Sequence, residues 1–524
     1  MYKTVCDIVG AGYPTPPLGL LTVAALLPPS WDVRLIDRNF QTIEEADLEW
    51  ADVIMTGGML TQQNDTLAIV RLARARGKPV VVGGPDVTSS ADVYDSADFR
   101  VLGEAEGVIE EFLEAWNAGE RSGVFDAASK QIDLTRSPLP RFDLIKGENY
   151  LQAAVQFSRG CPFTCEFCDV IELFGRNPRT KTPEQIVAEL DAVYKLGYRG
   201  GLFFVDDNLM GHRKALRALL PVLADWQARH RYPFDLSTQI TINLADDPAL
   251  MQMMRDANFT GVFIGIESID EPTLIASRKK QNAHREIIEC LDRIRSAGMF
   301  VQAGMIVGFD SEKGSVARPT VEFIDKAAIT WAAVSLMHAL PHTQLTRRLE
   351  REGRLYPGSH IQPTFDESTP FGVGMGLNFE TKRPRRDIIA DYVSILDQIY
   401  TPAAYFSRLT REARAVKRPP FKRRLTLKMH YRELRAFAKF AWRMTVTRPH
   451  LRGLYWNAIF DCMRHNPSAL RGIIIFSGVY LDVEQSYSHV TAAMKRQLQA
   501  IDRDEWVPYA RSIDNDAAQL AAVN

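Results

Sequence analysis

The chain has 524 residues, a formal net charge of -1, and apolar residues at 46% of its positions. This length favours two to four domains, and the ordinary share of charged residues is typical of a chain that folds. No signal-peptide pattern opens the sequence, and its apolar runs fall short of the roughly 20 residues that span a bilayer. We therefore expect a cytoplasmic protein whose thiols are reduced.

The first 125 residues alternate predicted strands and helices. Short buried strands are predicted at 4–12, 31–39, 51–58 and 78–86, and helices at 18–27 and 65–77. This alternation predicts an α/β domain over residues 1–130 with a doubly wound, Rossmann-like parallel sheet. Two of its strand ends carry Gly57, Gly58, Gly83, Gly84 and Pro85. Such positions let the backbone approach a flat or phosphate-bearing ligand, and the alternative is that βα loops simply need glycine.

A second βα series follows a proline-containing connector at residues 131–150 and occupies residues 151–350. Its six predicted strands lie at 153–158, 200–207, 234–240, 261–267, 301–309 and 331–340. Six such units predict a partial or full βα barrel, whose chemistry lies at the carboxyl ends of the strands. Residues 351–524 begin with a loop region rich in Gly and Pro and continue as a mainly helical C-terminal extension.

Half of the six cysteines lie in one short stretch, SRGCPFTCEFCDV, which follows the first strand of the second series. Clustered thiols in a reducing compartment indicate metal or redox chemistry, and thiolates suit zinc or an iron-sulfur cluster. Structural zinc normally has four ligands, and a fourth is missing here. Three cysteines on a 4Fe-4S cluster would instead leave one iron open. The plain alternative is three unrelated structural cysteines, a role that we assign to Cys6, Cys290 and Cys462.

The spacing of Cys161, Cys165 and Cys168, with Phe167 before the last cysteine, resembles the radical S-adenosylmethionine (SAM) superfamily. The resemblance implies that the three thiolates hold a 4Fe-4S cluster and that the open iron binds SAM. Reductive cleavage of SAM would then yield a radical that takes hydrogen from an unactivated carbon. An electron donor such as ferredoxin or flavodoxin would supply the electron.

Other strand ends resemble the SAM contacts of this superfamily. Asp206 and Asp207 stand where its members often have a Gly-Gly-Glu segment that receives the SAM ammonium group. Glu267 ends another strand, as in relatives where this carboxylate meets SAM. The segment with Gly304 and Gly308 resembles the one that lies along the adenine. The alternative for each position is a solvated loop carboxylate or a packing glycine, and no further catalytic residue is predicted.

A doubly wound domain before such a barrel resembles the cobalamin-binding radical SAM class, on the segments PPLGLLTVAALLP, VVGGPDVT and VLGEAEG. The resemblance implies that the glycine-rich strand ends bind cobalamin. The motif Asp-x-His-x-x-Gly, which ligates cobalt in some cobalamin domains, has its nearest match in DIVGAG, which lacks the histidine. We therefore expect no protein imidazole on cobalt. The short connection before PPLGL also indicates that part of the usual corrin-covering loop is absent.

With its helical extension, the layout resembles a bacterial subgroup that includes the hopanoid C-2 methylases. This implies a cobalamin-dependent radical SAM methyltransferase that methylates an unactivated carbon of a hopanoid-like lipid. One alternative is a radical SAM enzyme that cyclises, oxidises or couples its substrate, with the front domain as a scaffold. Another alternative is a redox sensor without catalytic activity.

Residues 408–456, here called the basic segment, interleave cations with aromatic side chains. Fifteen Lys or Arg residues between positions 408 and 452 stand against two acids. The aromatic residues are Phe421, Tyr431, Phe437, Phe440, Trp442, Tyr455 and Trp456. This pattern is typical of a helix on an anionic membrane, which would place the protein peripherally at the inner membrane face. The alternatives are an amphipathic helix that packs on the barrel and, without a recognised module to support it, nucleic-acid binding.

Overall fold

The computed structural model of the chain describes residues 3–361, 376–417 and 427–507. Three parts of the predicted segments lie outside these ranges: residues 362–375 of the Gly- and Pro-rich loop region, residues 418–426 of the basic segment with Phe421, and residues 508–524 of the helical extension. Among the described helices, none is both long enough and apolar enough to cross a membrane.

The front domain contains a four-stranded parallel sheet whose strands lie side by side in chain order. These strands are β1 (Ile54–Gly57), β2 (Val80–Gly83), β3 (Phe99–Leu102) and β4 (Gly123–Asp126). The helices are α1 (Lys3–Val9), α2 (Leu18–Leu26), α3 (Glu45–Trp50), α4 (Gln63–Ala75), α5 (Pro85–Ser89) and α6 (Ile109–Asn117). The predicted strands at 51–58 and 78–86 and both predicted helices of this domain are confirmed.

The second unit is a half-barrel built on a six-stranded parallel sheet with the order β12-β11-β10-β9-β8-β5. Its strands are β5 (Gln152–Val155), β8 (Gly200–Phe204), β9 (Phe234–Ile240), β10 (Phe259–Glu267), β11 (Phe300–Val307) and β12 (Ala332–Leu336). A short antiparallel ribbon of β6 (Ser158–Arg159) and β7 (Arg179–Thr180) follows β5. All six predicted barrel strands are confirmed, and the partial barrel is the form observed.

The helices of the half-barrel alternate with its strands. They are α7 (Val170–Leu173), α8 (Pro183–Lys195), α9 (Arg213–Arg229), α10 (Pro248–Asp256), α11 (Glu271–Ala276), α12 (Ile287–Ser296), α13 (Ala317–Lys326) and α14 (Gln344–Arg351). Local sequence explains several boundaries. Helix α8, for example, begins after Thr182, whose hydroxyl accepts a hydrogen bond from the Gln185 N–H, and Pro183 occupies its first turn.

The described part of the C-terminal extension contains five α-helices: α15 (Arg385–Ile399), α16 (Pro402–Ala415), α17 (Leu427–Trp442), α18 (Arg452–His465) and α19 (Leu470–Asp502). They share one hydrophobic core with the half-barrel, and Ile8 and Leu21 of the front domain belong to the same core. A buried ion pair between Glu412 of α16 and Arg295 of α12 joins the extension to the barrel. The extension therefore buttresses the barrel helices.

Two predicted strands of the front domain are wrong. Residues 4–12 begin inside helix α1, and residues 31–39 form no strand. Alternate residues of α1 are buried, which is also the pattern of a strand. The segment is nevertheless helical, and the Asp482 carboxylate of α19 accepts hydrogen bonds from the N–H groups of Thr4 (2.7 Å) and Val5 (3.2 Å). This contact caps the helix from a position that is distant in sequence. Without these two strands, the described part of the front sheet shows no reversal of strand order.

Candidate cofactor site

The cysteine-bearing loop leaves the ribbon strand β6 and ends at helix α7. Cys161, Cys165 and Cys168 are all free thiols. The base of the loop is closed by a hydrogen bond from the Cys161 N–H to the carbonyl oxygen of Gly175 (3.2 Å). Gly160 adopts φ +95°, and a Cβ atom there would lie 2.9 Å from that same oxygen. Only glycine therefore fits this position without strain.

Two amide side chains contact the thiols. The amide nitrogen of Gln281 lies 3.6 Å from the sulfur of Cys165, and that of Asn208 lies 3.9 Å from the sulfur of Cys161. Burial raises the pKa of the Cys161 and Cys168 thiols, so binding of iron there would release protons. These features fit a site that takes thiolate-bound metal.

The described residues contain no group of three or more His, Cys, Asp or Glu side chains arranged around a single metal ion. In a 4Fe-4S cluster, each cysteine ligates a different iron atom, so the thiols do not have to converge on one point. The loop supplies three thiols, the number that a 4Fe-4S cluster with one open iron takes, whereas structural zinc normally has four ligands.

Glu267 ends strand β10 as a buried carboxylate paired with the Lys279 ammonium group at 2.9 Å. Its backbone has φ +68° and lies at an irregularity in the pairing of β10 with β11. The carboxylate folds back over Gly265, where a Cβ atom would overlap it, and Gly304 of β11 lies beside it. Burial alone would lower the pKa of Lys279, but attraction to Glu267 and to the nearby thiols of the cysteine loop raises it. The ammonium group therefore stays charged.

Asp206 and Asp207 follow strand β8 but occupy different environments. Asp206 is fully buried and accepts hydrogen bonds from the Phe157 N–H (3.1 Å) and from both the N–H and the hydroxyl of Ser158. Burial raises the pKa of Asp206 to about 7 and that of Asp207 to about 6. The Asp207 carboxylate instead faces the base of the cysteine loop, 3.4 Å from the Gly160 N–H. Asp206 thus ties two strand ends together, whereas Asp207 contacts the residue that precedes Cys161.

Gly308 and Phe167 make packing contacts around the cysteine loop and the end of strand β11. A Cβ atom at Gly308 would meet Leu377 and Ile388 of the C-terminal extension, so this glycine packs against the extension. The ring of Phe167 contacts the ring of Phe309 edge-on, with 5.9 Å between centroids. Phe167 therefore connects the cysteine loop to the end of strand β11.

The glycines of the front sheet allow adjacent strand ends to approach closely. A Cβ atom at Gly57 would overlap the carbonyl oxygen of Gly83, and one at Gly84, which has φ +97°, would lie 3.3 Å from Gly58. Pro85 then begins helix α5. These contacts support the packing explanation for the glycines. They also leave bare backbone at the carboxyl ends of β1 and β2, which fits the approach of a flat macrocycle.

A buried ion network joins the front domain to the cysteine loop. Glu104, which follows β3, contacts both Arg159 of β6 (2.7 Å) and Arg179 of β7 (2.6 Å), and Glu106 contacts Arg159 at 2.9 Å. Burial alone would raise the pKa of Glu106, but the guanidinium of Arg159 lowers it. Arg159 lies two residues before Cys161, so the front domain binds the base of this loop directly.

The charged and amide partners of the thiol loop were not predicted from the sequence: Glu104, Glu106, Arg159, Arg179, Asn208, Lys279 and Gln281. A usable signal was present for some of them. Glu104 and Glu106 lie in the segment VLGEAEG, and Glu104 follows β3 just as Asp206 follows β8. A polar residue at the carboxyl end of a parallel strand is a candidate for an active-site edge.

The basic segment divides between packed and exposed side chains. Arg408 is buried and donates a hydrogen bond to the carbonyl oxygen of Ile329 (2.8 Å). Phe440 and Tyr455 are also buried, and their rings pack against each other within the extension rather than on the barrel. Tyr431 and Trp442, however, are exposed. Part of the segment is therefore structural, and part faces outward.

Three protein-family models match the chain. The B12 binding domain matches residues 5–113, the Radical SAM superfamily matches residues 155–324, and a domain of unknown function matches residues 343–499. The parallel-sheet front domain and the cysteine-bearing half-barrel together define a radical SAM enzyme with a B12 binding domain. These domains assign it a 4Fe-4S cluster, SAM and cobalamin as cofactors.

Two similar proteins are named as a methyltransferase and a methylase, which specifies the type of reaction. The chain is 39% identical over 475 residues to an uncharacterized methyltransferase of Synechocystis sp., covering 90% of this chain and 87% of the relative. It is 36% identical over 397 residues to the hopanoid C-2 methylase of Rhodopseudomonas palustris, covering 75% and 72%. The chain therefore belongs to the cobalamin-binding radical SAM methyltransferases. This membership gives the redox-sensor alternative no support.

Solved structures share the fold. The radical SAM methyltransferase TsrM from Kitasatospora setae, with cobalamin and a [4Fe-4S] cluster bound, aligns with a TM-score of 0.57 at 13% identity and covers 82% of this chain and 99% of its own. The cobalamin-dependent SAM radical enzyme OxsB aligns with a TM-score of 0.56 at 14% identity and covers 94% and 79%. These similarities confirm the architecture of a front domain, a half-barrel and a C-terminal extension.

Proposed function

We propose that this enzyme is a hopanoid C-2 methylase or a close functional equivalent, which methylates an unactivated carbon of a hopanoid-like lipid. The observation that carries the proposal is the 36% identity to a hopanoid C-2 methylase over three quarters of the chain, which includes the cysteine loop. When bound, the cofactors supply radical and methyl-transfer chemistry that an unactivated carbon requires. The chain's own residues hold, orient and shield them.

In this proposal, the thiolates of Cys161, Cys165 and Cys168 hold the cluster. Gln281 and Asn208 direct amide N–H groups at two of the sulfurs. Hydrogen bonds of this kind stabilise negative charge on a ligating sulfur and fix its orientation. The two amides thus help set the reduction potential of the cluster.

We assign the SAM ammonium group to Asp207, since the oxygens of Asp206 are already occupied by donors from the β5–β6 connection. Glu267 is the second SAM contact, and its pairing with Lys279 fixes the carboxylate in place. Gly304, beside that carboxylate, lies along the adenine together with the segment that ends at Gly308. Phe167 packs behind the loop.

The cobalamin contacts of the proposal are the bare strand ends of the front sheet: Gly57, Gly83, Gly84 and Pro85. The three glycines have no side chain, which lets a corrin ring approach the backbone closely. The front domain lies against the cysteine loop through the Glu104 network, so a corrin at this edge faces the half-barrel.

The enzyme needs a lipid substrate, an electron donor and access to a membrane. The substrate is a membrane lipid, and an electron donor such as ferredoxin or flavodoxin reduces the cluster. The protein works in the cytoplasm and docks peripherally on the inner membrane face through the basic segment. The exposed aromatic residues of that segment support this arrangement.

The test is lipid mass spectrometry of cells that make hopanoids without 2-methylation and express the protein. The wild-type chain should yield 2-methylhopanoids, and Cys165→Ala should yield none because the cluster loses a ligand. Cys290→Ala is the matched control, since Cys290 is also a buried thiol but lies on helix α12 away from the loop. Absence of methylated hopanoids with well-folded, cluster-loaded wild-type protein would refute the lipid substrate.

A further inference from the structure

Helix α17 carries a row of exposed apolar side chains. Tyr431, Leu434 and Trp442 are 69%, 66% and 65% exposed, and Ala438 between them is exposed as well. Their spacing of three or four residues places them on one face of the helix, here called the outer stripe. Large apolar side chains exposed together are uncommon in a soluble monomer and mark interaction sites.

The outer stripe is not the face by which α17 packs on the rest of the protein. Phe440 of α17 is buried, as is Met444 in the turn that follows. The ring of Phe440 lies edge-on against that of Tyr455 in α18, with 5.5 Å between centroids. The helix therefore has two apolar faces, one of them already used for packing.

A cavity of about 580 Å³ opens beside the outer stripe, between α17 and the N-terminal helix α1. It is lined by Asp7, Ile8, Ala438, Lys439, Trp442, Arg443 and Thr447. Lys439 and Arg443 are one helical turn apart and line the same cavity. Asp7 is the single acid of the lining, so the cavity is positively charged and suits an anionic group.

We propose that this face is a docking site for an anionic phospholipid membrane. The outer stripe enters the boundary between head groups and acyl chains, and Lys439 and Arg443 bind a lipid phosphate in the cavity. Exposed aromatic and aliphatic side chains beside cations on one helix are the features that hold a helix in a membrane interface. The chain's net charge of -1 gives little overall attraction, so these local cations must supply it. This inference rests on the proposed function, because a membrane-lipid substrate is what gives the enzyme a reason to dock on a membrane.

The test is co-sedimentation of the full-length protein with phosphatidylcholine vesicles, with and without phosphatidylglycerol, and without hopanoid, SAM or reductant. The wild type should bind only the anionic vesicles, more weakly as salt is raised. The double variant Lys439→Gln/Arg443→Gln should bind about 30-fold more weakly, from roughly 1 kcal/mol for each cation. Leu434→Ser/Trp442→Ser should also lose binding, because it removes the inserted side chains.

Matched controls come from other exposed positions. Met59→Ser removes an exposed apolar side chain of the front domain, and Arg318→Gln removes an exposed cation of α13. Both should bind like the wild type. Equal binding of wild type and stripe variants, or equal binding to neutral and anionic vesicles, would overturn the proposal. Lipid-independent dimerisation that the stripe variants abolish would assign the face to a second copy instead. Vesicle binding without any hopanoid methylation in cells would refute only the substrate.

Discussion

The substitution Glu104→Gln tests whether the front domain positions the cysteine loop. Glu104 bridges Arg159 and Arg179, one on each strand of the ribbon from which the loop emerges. Glutamine keeps the shape of the side chain but removes its charge. Arg179 would then keep hydrogen bonds only to uncharged acceptors, among them the carbonyl oxygen of Phe174, just after helix α7.

The expected loss of stability follows from the burial of the three charged groups. Both guanidiniums and the carboxylate are nearly inaccessible to solvent, with side-chain exposures of 10%, 12% and 6%. Two charge-assisted hydrogen bonds of about 1.5–3 kcal/mol each are weakened, and removing one member of a buried ion pair costs about 3–5 kcal/mol. The amide oxygen of glutamine still accepts one hydrogen bond, so we expect the free energy of unfolding to fall by about 3 kcal/mol.

The assay compares cluster assembly with stability. After anaerobic reconstitution, we expect Glu104→Gln to retain at most a third of the wild-type iron and sulfide per chain, because the base of the loop is no longer fixed. The electron paramagnetic resonance spectrum of its reduced cluster should also respond less to SAM. Glu412→Gln is the matched control. Glu412 lies on helix α16 of the extension, is buried, and pairs with Arg295 of α12 rather than with any residue of the cysteine loop. Glu412→Gln should lose similar stability yet bind iron normally.

Two results would contradict this reasoning. If both variants lose iron in proportion to their loss of thermal stability, the network contributes only to folding. If Glu104→Gln unfolds like the wild type, the ion pairs are not formed in solution. Partial recovery of iron in Glu104→Asp, which restores the charge on a shorter side chain, would further support a positioning role.

Three further predictions concern the loop and its neighbours. Asp207→Asn should weaken SAM binding by roughly 10- to 100-fold in isothermal titration calorimetry, because a charged contact is lost. Asp206→Asn should instead reduce the yield of folded protein. If Asp207→Asn binds SAM as tightly as the wild type, the assignment of the SAM ammonium group to Asp207 is wrong. Gly160→Ala should lose cluster iron because its Cβ would crowd a carbonyl oxygen, whereas Gly175→Ala, also at positive φ but with open space around it, should retain more. Burial alone would raise the pKa of Asp310, but two arginines lower it to about 2. The stability that the ionised Asp310 contributes is thus complete above pH about 4 and disappears as the pH falls toward 2. Asp310→Asn should therefore lower the free energy of unfolding, measured in urea at pH 7, by about 2 kcal/mol. The difference from the wild type should narrow below about pH 4.

The sequence by itself determined the cysteine loop, the six strands of the half-barrel and the cofactor class. The three cysteines that we propose as cluster ligands lie within eight consecutive positions, so their spacing is readable without a fold. Buried strands such as β9 also carry a local pattern, because alternate residues of a strand face the same side. The same local rule failed at residues 4–12, where alternating burial belongs to a helix that is capped by Asp482.

Only the tertiary structure decided which polar groups serve the site. Asp206 and Asp207 are adjacent and chemically identical, yet one is enclosed by backbone donors and the other faces the loop. Glu104 meets Arg159 across 55 positions of sequence, and no local pattern predicts such a pairing. The reason is physical: ligand spacing and strand burial are properties of short segments, whereas an ion pair forms only after folding has brought its partners together and excluded water.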